Sequence, residues 1–383
     1  MRILDQLEAG GESLFNTVAQ YGLKKRGPYF LMGGFRHIFV ESSISSKGSA
    51  RYHFLMRDVG ELTGLWGPTL FSYRQGFSAH TLAIVTRRAL YKILQIWGKV
   101  WLLEWDETGA FPRLQMGLLD ELTEIASEGG LEEALWTGGK VLDQFYRRQQ
   151  LYPVTEYGLG LPYQAQDGAL EGDCAAPSAY QSASAVRTWC KDPQGAVTFG
   201  SGDKQISISE TVFSDDRRLF HYRQTKFEGL VGIRLDITQA VGGIVKKAQL
   251  NVTVAELDAG EINMIEAECQ IDGSKQSTLE PPKVTGIPLF LGKRPDKWLD
   301  KLLGLWKSLS MKVEMGHLLP IKSFRVIFAF MVSSFDFVAS GLPMEKQWLK
   351  ELQLQLDKLF TSLHGLSMRT AKLFLYLPDH MGG

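Results

Sequence analysis

The sequence predicts an α+β, β-rich chain divided into two domains. Three observations carry this reading. From Gly229 to Phe337 a series of runs alternates apolar and polar residues, the period of half-buried strands. Apolar residues recur at helical spacing over Asp296–Leu309 and again over residues 344–363. A length of 383 residues is more than one core usually organises.

The first domain spans 1–150. Residues 1–20 read as an amphipathic helix through Ile3, Leu4, Leu7, Leu14, Phe15 and Val18, interrupted at Gly10-Gly11. Lys24-Lys25-Arg26 ahead of Gly27-Pro28 marks a surface turn, and Phe30–Val40 a strand bent at Gly33-Gly34. Glu41–Ala50 is a small-polar loop, and Arg51–Gly60 a strand that pairs back as a hairpin. Ala79–Ile96 sets Leu82, Val85, Ala89, Ile93 and Ile96 on one helical face. Lys99–Gly109 is a strand running into a turn, and Leu118–Ser127 and Leu131–Gln149 are short helices.

Residues 151–205 are rich in Gly, Pro, Ala and Ser and keep no period, so they read as a linker or a long functional loop. The second domain, 206–383, holds strands at Leu230–Thr238, Ala248–Leu257, Ile265–Ile271, Gly286–Leu291, Ser310–Met315 and Phe324–Val332. Only the last is apolar enough to be covered on both faces. After Gly341-Leu342-Pro343 a terminal amphipathic helix lines up Trp348, Leu352, Leu356, Leu359 and Phe360, and Ala371–Pro378 reads as a closing strand.

Basic and acidic residues balance at 42 each, which implies no global attraction to nucleic acid or membrane. The balance is uneven along the chain. After residue 281 there are 14 Lys and Arg against 8 Asp and Glu, whereas residues 151–281 carry 11 against 18. Three cysteines without paired spacing fit a reducing compartment better than a disulfide framework or a zinc knuckle. The opening residues lack the apolar run of a signal peptide, and no stretch reaches the roughly 18 apolar residues of a membrane span. An intracellular protein is the expectation.

No phosphate-binding loop, zinc-protease helix, nucleophile elbow or paired-cysteine motif occurs, and the seven histidines show no ligand spacing. Catalytic residues, metals and cofactors are therefore not expected. Asp215-Asp216, followed at once by Arg217-Arg218, reads as a solvated turn rather than a carboxylate pair. The basic residues Lys246, Lys247, Lys293, Arg294, Lys297, Lys301 and Lys307 are ordinary solvated surface or, in the functional reading, the contact to an anionic surface. The apolar face of the terminal helix, Trp348 to Phe360, is the candidate for self-association.

LVGIRLDIT is followed by VGGIVKK and another strand; IPLFLGK ends a short strand before a basic turn. DKWLDKLLGLWKSLSMKVEMGHLLPIKSFRVIFAF then reads as a basic helix, a strand, a Gly-containing break and another strand. Over residues 227–332 this order resembles the C-terminal half of paramyxovirus matrix proteins. The resemblance implies a β-sandwich-like C-terminal domain and a non-enzymatic viral assembly protein that forms dimers or a lattice. It implies as partners the chain itself, an anionic membrane surface, the nucleocapsid and glycoprotein tails, at the inner face of a membrane and in the virion. The chain departs from that family in being neutral rather than basic. Two alternatives stand beside it: a nucleoprotein or capsid subunit that binds RNA, and an enzyme whose site is assembled from scattered residues.

Overall fold

The computed structural model describes residues 17–24, 35–41, 43–62, 64–115, 117, 121, 149–164, 168–188, 195–202, 205–245, 250–271, 274–291, 296–315, 329, 335, 339, 341 and 346–364. Strands β1 (Thr17–Lys24) and β2 (Phe35–Val40) precede two long helices, α1 (Ser43–Leu62) and α2 (Ala79–Trp97). Ser78 caps α2, its Oγ accepting from the Thr81 N–H at 3.2 Å. Gly98 ends the helix with φ 74°, a left-handed conformation that glycine adopts without a Cβ penalty. The turn sends the chain directly into β3 (Lys99–Asp106). Strands β4 (Gln150–Thr155) and β5 (Gly158–Leu159) follow, then helix α3 (Ala176–Thr188). Next come the hairpins β6–β7 (Val197–Phe199, Ile206–Ile208) and β8–β9 (Glu210–Phe213, Asp216–His221), then α4 (Gln224–Ala240). Strands β10 (Asn251–Asp258) and β11 (Glu261–Ile265) pair with each other, as do β12 (Glu268–Ile271) with β13 (Ser274–Gln276) and β14 (Lys283–Val284) with β15 (Ile287–Pro288). Helices α5 (Asp296–Met315) and α6 (Lys346–His364) lie against each other.

The fold is α+β, as expected. Its centre is a five-stranded antiparallel sheet ordered β11-β10-β3-β9-β8. The middle strand, KVWLLEWD, is buried along most of its length, as a strand covered on both faces must be. On one face Val100, Leu102 and Phe220 pack against Leu82, Leu90, Ile93 and Leu94 of α2 and against Val284 and Ile287 of the β14–β15 hairpin. On the other, Trp101, Leu103 and Leu219 meet Phe227 and Val231 of α4. A second sheet, β2-β1-β4-β5, holds Val18 and Leu151 against the small residues Ala176, Ala179 and Ala183 of α3. Helix α3 is buried nearly all round, which Ala and Ser permit because they let neighbouring backbones approach closely.

The helices expected at 79–96, 296–309 and 344–363 are present, and so are the strands expected at 99–109 and 248–257, each within a few residues or as part of a longer element. Several strand readings are corrected. Leu230–Thr238 is helical, because its core face is Phe227, Val231, Arg234 and Thr238, spaced three or four apart. Arg234 supplies no apolar signal, so the surface residues around it mimic a period of two. Ser310–Met315 continues α5, and Arg51–Gly60 with most of the polar run before it is α1. Thr17–Lys24 is a strand rather than the end of a helix. Residues 151–205 contain β4, β5, α3 and β6. The central sheet takes β3 from the first half of the chain and its other four strands from the second, so the two halves share a sheet. Residues 1–16 and 371–378, and nearly all of 118–148 and 324–332, lie outside the described residues.

Helix and strand make opposite demands on α4. In a strand Val231 and Ile233 would share a face, whereas Val231 is 1% and Ile233 50% exposed. Phe227→Ala is expected to cost about 3–5 kcal/mol, and Ile233→Ala no more than about 0.5 kcal/mol, in urea unfolding. Comparable losses at both positions would contradict the helix.

Candidate active site

The upper edge of the central sheet brings three carboxylates together. Asp106 is the last residue of β3 and Asp216 the first of β9, and the two are cross-strand partners. Phe213 and Asp216 close the β8–β9 hairpin, which leaves Ser214 and Asp215 as its two-residue tip. Ser214 sits at φ 57°, a place in a tight hairpin that favours glycine. The Tyr73 hydroxyl hydrogen-bonds Ser214 Oγ at 3.2 Å, and Tyr73 is itself left-handed at φ 58°. Two strained non-glycine residues meeting at one hairpin tip mark a position held by its surroundings.

The Asp106 and Asp215 carboxyls lie close enough to perturb each other's titration. Burial and then the charges of Asp215 and Asp216 push Asp106 up to about 6, and burial raises Asp215 as well. Asp216 is occupied differently. Its Oδ2 accepts from Arg218 Nη2 at 2.5 Å and from the Thr285 N–H at 2.9 Å.

Strand alternation separates two environments. Glu104, Asp106, Asp216 and Arg218 face a cleft of about 390 Å³ whose rim includes Asn251 and Lys283. Glu104 Oε1 accepts from the Lys283 N–H at 2.7 Å, and burial pushes its carboxyl up to about 7. Behind the sheet, Glu107 is 2% exposed and accepts from Arg217 Nε at 2.7 Å and from Arg187 Nη1 of α3. Burial alone would raise Glu107, but the two guanidinium groups outweigh it and hold the carboxyl below its ordinary value. Arg234 of α4 pairs with Glu210 of β8 at 3.1 Å and donates to the Arg187 carbonyl. The Glu107 N–H also donates to the Asp215 carbonyl at 3.2 Å, which ties the end of β3 to the hairpin tip.

Among the described residues no group of three or more His, Cys, Asp or Glu side chains is arranged to hold a metal ion by protein ligands alone. With Asp216 drawn aside, Asp106 and Asp215 remain. Two carboxylates beside an open cleft fit Mg²⁺, which keeps several waters and takes its remaining ligands from substrate phosphates.

The residues singled out from sequence lie elsewhere. Lys301 and Lys307 are exposed on α5; Lys297 is on α5 with its side chain outside the described residues, as are Lys246, Lys247, Lys293 and Arg294 altogether. On α6, Leu352 is buried and Leu356 half-buried, while the side chains of Trp348, Leu359 and Phe360 lie outside the described residues. None of those that are described lines the cleft. No described helix is long and apolar enough to cross a membrane. The reading of Asp215-Asp216 as a solvated turn is corrected: Asp215 is at the hairpin tip and Asp216 opens β9, both half-buried beside Asp106. An acidic residue ending the apolar run KVWLLEWD, and two more between the short runs ETVF and RRLFH, were the available signal.

No protein-family model matches the sequence, and no curated protein matches it. Among solved structures, the telomerase of Candida tropicalis in complex with a fragment of telomeric RNA is similar at 12% identity with a TM-score of 0.48, over 97% of this chain and 63% of that one. The Candida albicans telomerase in complex with the corresponding RNA fragment gives 11% and 0.46, over 95% and 64%. An apo Candida tropicalis telomerase gives 11% and 0.47, over 69% and 55%. The chain thus spans 55–64% of the length of these three. A likeness this distant carries no argument about activity. The expectation of a non-enzymatic, virion-associated matrix-type assembly protein is nonetheless corrected. The described part of the segment that carried it folds as α4, the central-sheet strands β10 and β11, two short hairpins and α5 rather than a β-sandwich, and the similar solved structures are telomerases, not matrix proteins. The reading of the chain as a non-enzyme falls with it.

Glu107→Ala is expected to cost about 3–5 kcal/mol, since it leaves Arg187 and Arg217 buried without their partner. Denaturant unfolding checks this, and a loss below about 1 kcal/mol would mean that the pairs do not hold the sheet edge. Asp106 behaves oppositely. Between its ordinary 3.8 and about 6 the folded protein retains a proton that the unfolded chain has released, so stability falls as pH rises through that window. Asp106→Asn is therefore expected to raise stability near neutral pH, by no more than about 1 kcal/mol because solvent screens the exposed group. A destabilised Asp106→Asn would show that the carboxylates do not repel.

Proposed function

We propose that the protein is a Mg²⁺-dependent nucleotidyl transferase that adds nucleotides to the end of a nucleic-acid strand. This keeps the enzyme alternative offered by the sequence and gives it a site. The observation that carries it is the juxtaposition of Asp106, which lines a polar cleft at the sheet edge, with Asp215 at the neighbouring hairpin tip. Nothing in ordinary folding rewards such a pair, whose members repel whenever both are ionised. A divalent cation removes that repulsion, and when bound it lowers the pKa of an attacking hydroxyl and offsets charge developing on a phosphoryl group.

The chain's own residues account for the rest. Asp106 and Asp215 would hold the metal from two elements whose register is fixed by Glu107, Arg217 and Arg187. A rigid pair matters because phosphoryl transfer gains most of its rate from positioning and electrostatic stabilisation. The cleft offers room for a nucleotide, and the exposed Lys283 on its rim suits a phosphate-bearing substrate.

The test is primer extension by the full chain with Mg²⁺, nucleoside triphosphates and a recessed DNA or RNA template–primer. Wild type is expected to extend the primer. Asp106→Asn and Asp215→Asn are each expected to lose about a thousandfold or more, because a metal contributes several kcal/mol to such a transition state. Absence of extension on every template, or unchanged rates in both variants, would overturn the proposal.

A further inference from the structure

Asp216 is the cross-strand partner of Asp106 and the chain neighbour of Asp215, yet among the described residues the three are not arranged together as a metal-holding group. Its Oδ2 is held by Arg218 Nη2 at 2.5 Å and by the Thr285 N–H at 2.9 Å. Both donors are themselves fixed. Arg218 is 1% exposed, its Nε donates to the Lys283 carbonyl at 2.7 Å, and it lies 3.7 Å from Glu104. Thr285 occupies the left-handed region at φ 48°, in the turn between β14 and β15, and that turn aims its N–H at Asp216. The hairpin is anchored in turn by Val284 and Ile287, both buried in the core under α2.

We infer that Arg218 is a positioning residue that withholds Asp216 from the metal, so that the ligand set is Asp106 and Asp215 alone. This deepens the proposed function and rests on it. The physical reason lies in charge count. Three free carboxylates at one point would bind a divalent ion more tightly than two, because affinity follows the charge and number of ligands. A transferase that must exchange metal-bound phosphates at every turnover gains nothing from an over-tight ion. Arg218 spends the third carboxylate in a short, charge-assisted pair within a largely buried setting. The β14–β15 hairpin thereby acts on the metal site without touching it.

The experiment measures Mn²⁺ binding to the full-length protein by electron paramagnetic resonance, with no substrate present. Asp106→Asn and Asp215→Asn are expected to weaken Mn²⁺ by about tenfold or more, whereas Asp216→Asn should change it by less than about twofold. Arg218→Met frees Asp216 and should tighten Mn²⁺ by about tenfold. Arg218→Lys, which keeps a cation, should restore the wild-type value, and the double variant Arg218→Met/Asp216→Asn should return to it as well. Weakening of about tenfold in Asp216→Asn would overturn the inference, and that variant decides the matter even if Arg218→Met does not fold. Wild type binding no Mn²⁺ would overturn it also. Mn²⁺ binding with this pattern but no primer extension would sink the transferase reading and leave the inference intact. Extension together with metal loss in Asp216→Asn would do the reverse.

Discussion

The rest of the site depends on one buried carboxylate. Glu107 lies behind the central sheet between a guanidinium from β9 and another from α3, with almost no solvent contact. Alone, a buried ion of this kind is costly; joined to two partners it becomes a fixed point that none of the three elements can leave without stranding a charge. Because successive strand residues face opposite ways, fixing Glu107 behind the sheet fixes Asp106 in front of it. The same reasoning holds on β9, where Arg217 points back to Glu107 and Arg218 points forward to Asp216. The register Asp106↔Asp216 then places Asp215, at the hairpin tip, against Asp106.

Stability is thus arranged in two tiers. The rear tier is compensated: Glu107 with Arg187 and Arg217, and Arg234 with Glu210. The front tier is not, since burial raises both Asp106 and Asp215, and the charges of Asp215 and Asp216 raise Asp106 further. Strain accumulates at the same place, with Ser214 and Tyr73 both left-handed and bonded to each other. Unfavourable terms persist only where surrounding structure over-determines them. Here the sheet cores on either side of β3 supply that constraint.

Long periodic helices and the apolar strand β3 were legible in the sequence, because their burial is made by hydrocarbon. Two kinds of element were not. Helices α3 and α1 bury Ala, Ser, Tyr and His against one another, and His53 Nδ1 meets Ser178 Oγ at 2.6 Å, so their core faces carry little hydrophobic signal. Helix α4 buries Arg234, whose partner Glu210 lies on a different element. With that arginine counted as surface, the apolar residues left over fell into alternation, and that run was one of the three on which the matrix-type resemblance rested. The composition of 151–205 misled in the same way, since Gly, Ala and Ser serve a tightly packed helix as well as a loop.

The carboxylate site failed to show for a further reason. Asp215-Asp216 beside Arg217-Arg218 is locally a neutral run, and a neutral run in solvent needs no explanation. Its meaning depends on alternation, which sends the two arginines to opposite faces and requires an acid on each. Glu107 answers the first and Asp216 the second, which leaves Asp215 and Asp106 as the acids without a cationic partner of their own. Counting charge by face rather than by segment would have isolated the same two residues. The sheet edge therefore sorts four neighbouring charges of the β8–β9 hairpin into one rear anchor, one front clamp and a single carboxylate without a cationic partner. That carboxylate is the one beside Asp106.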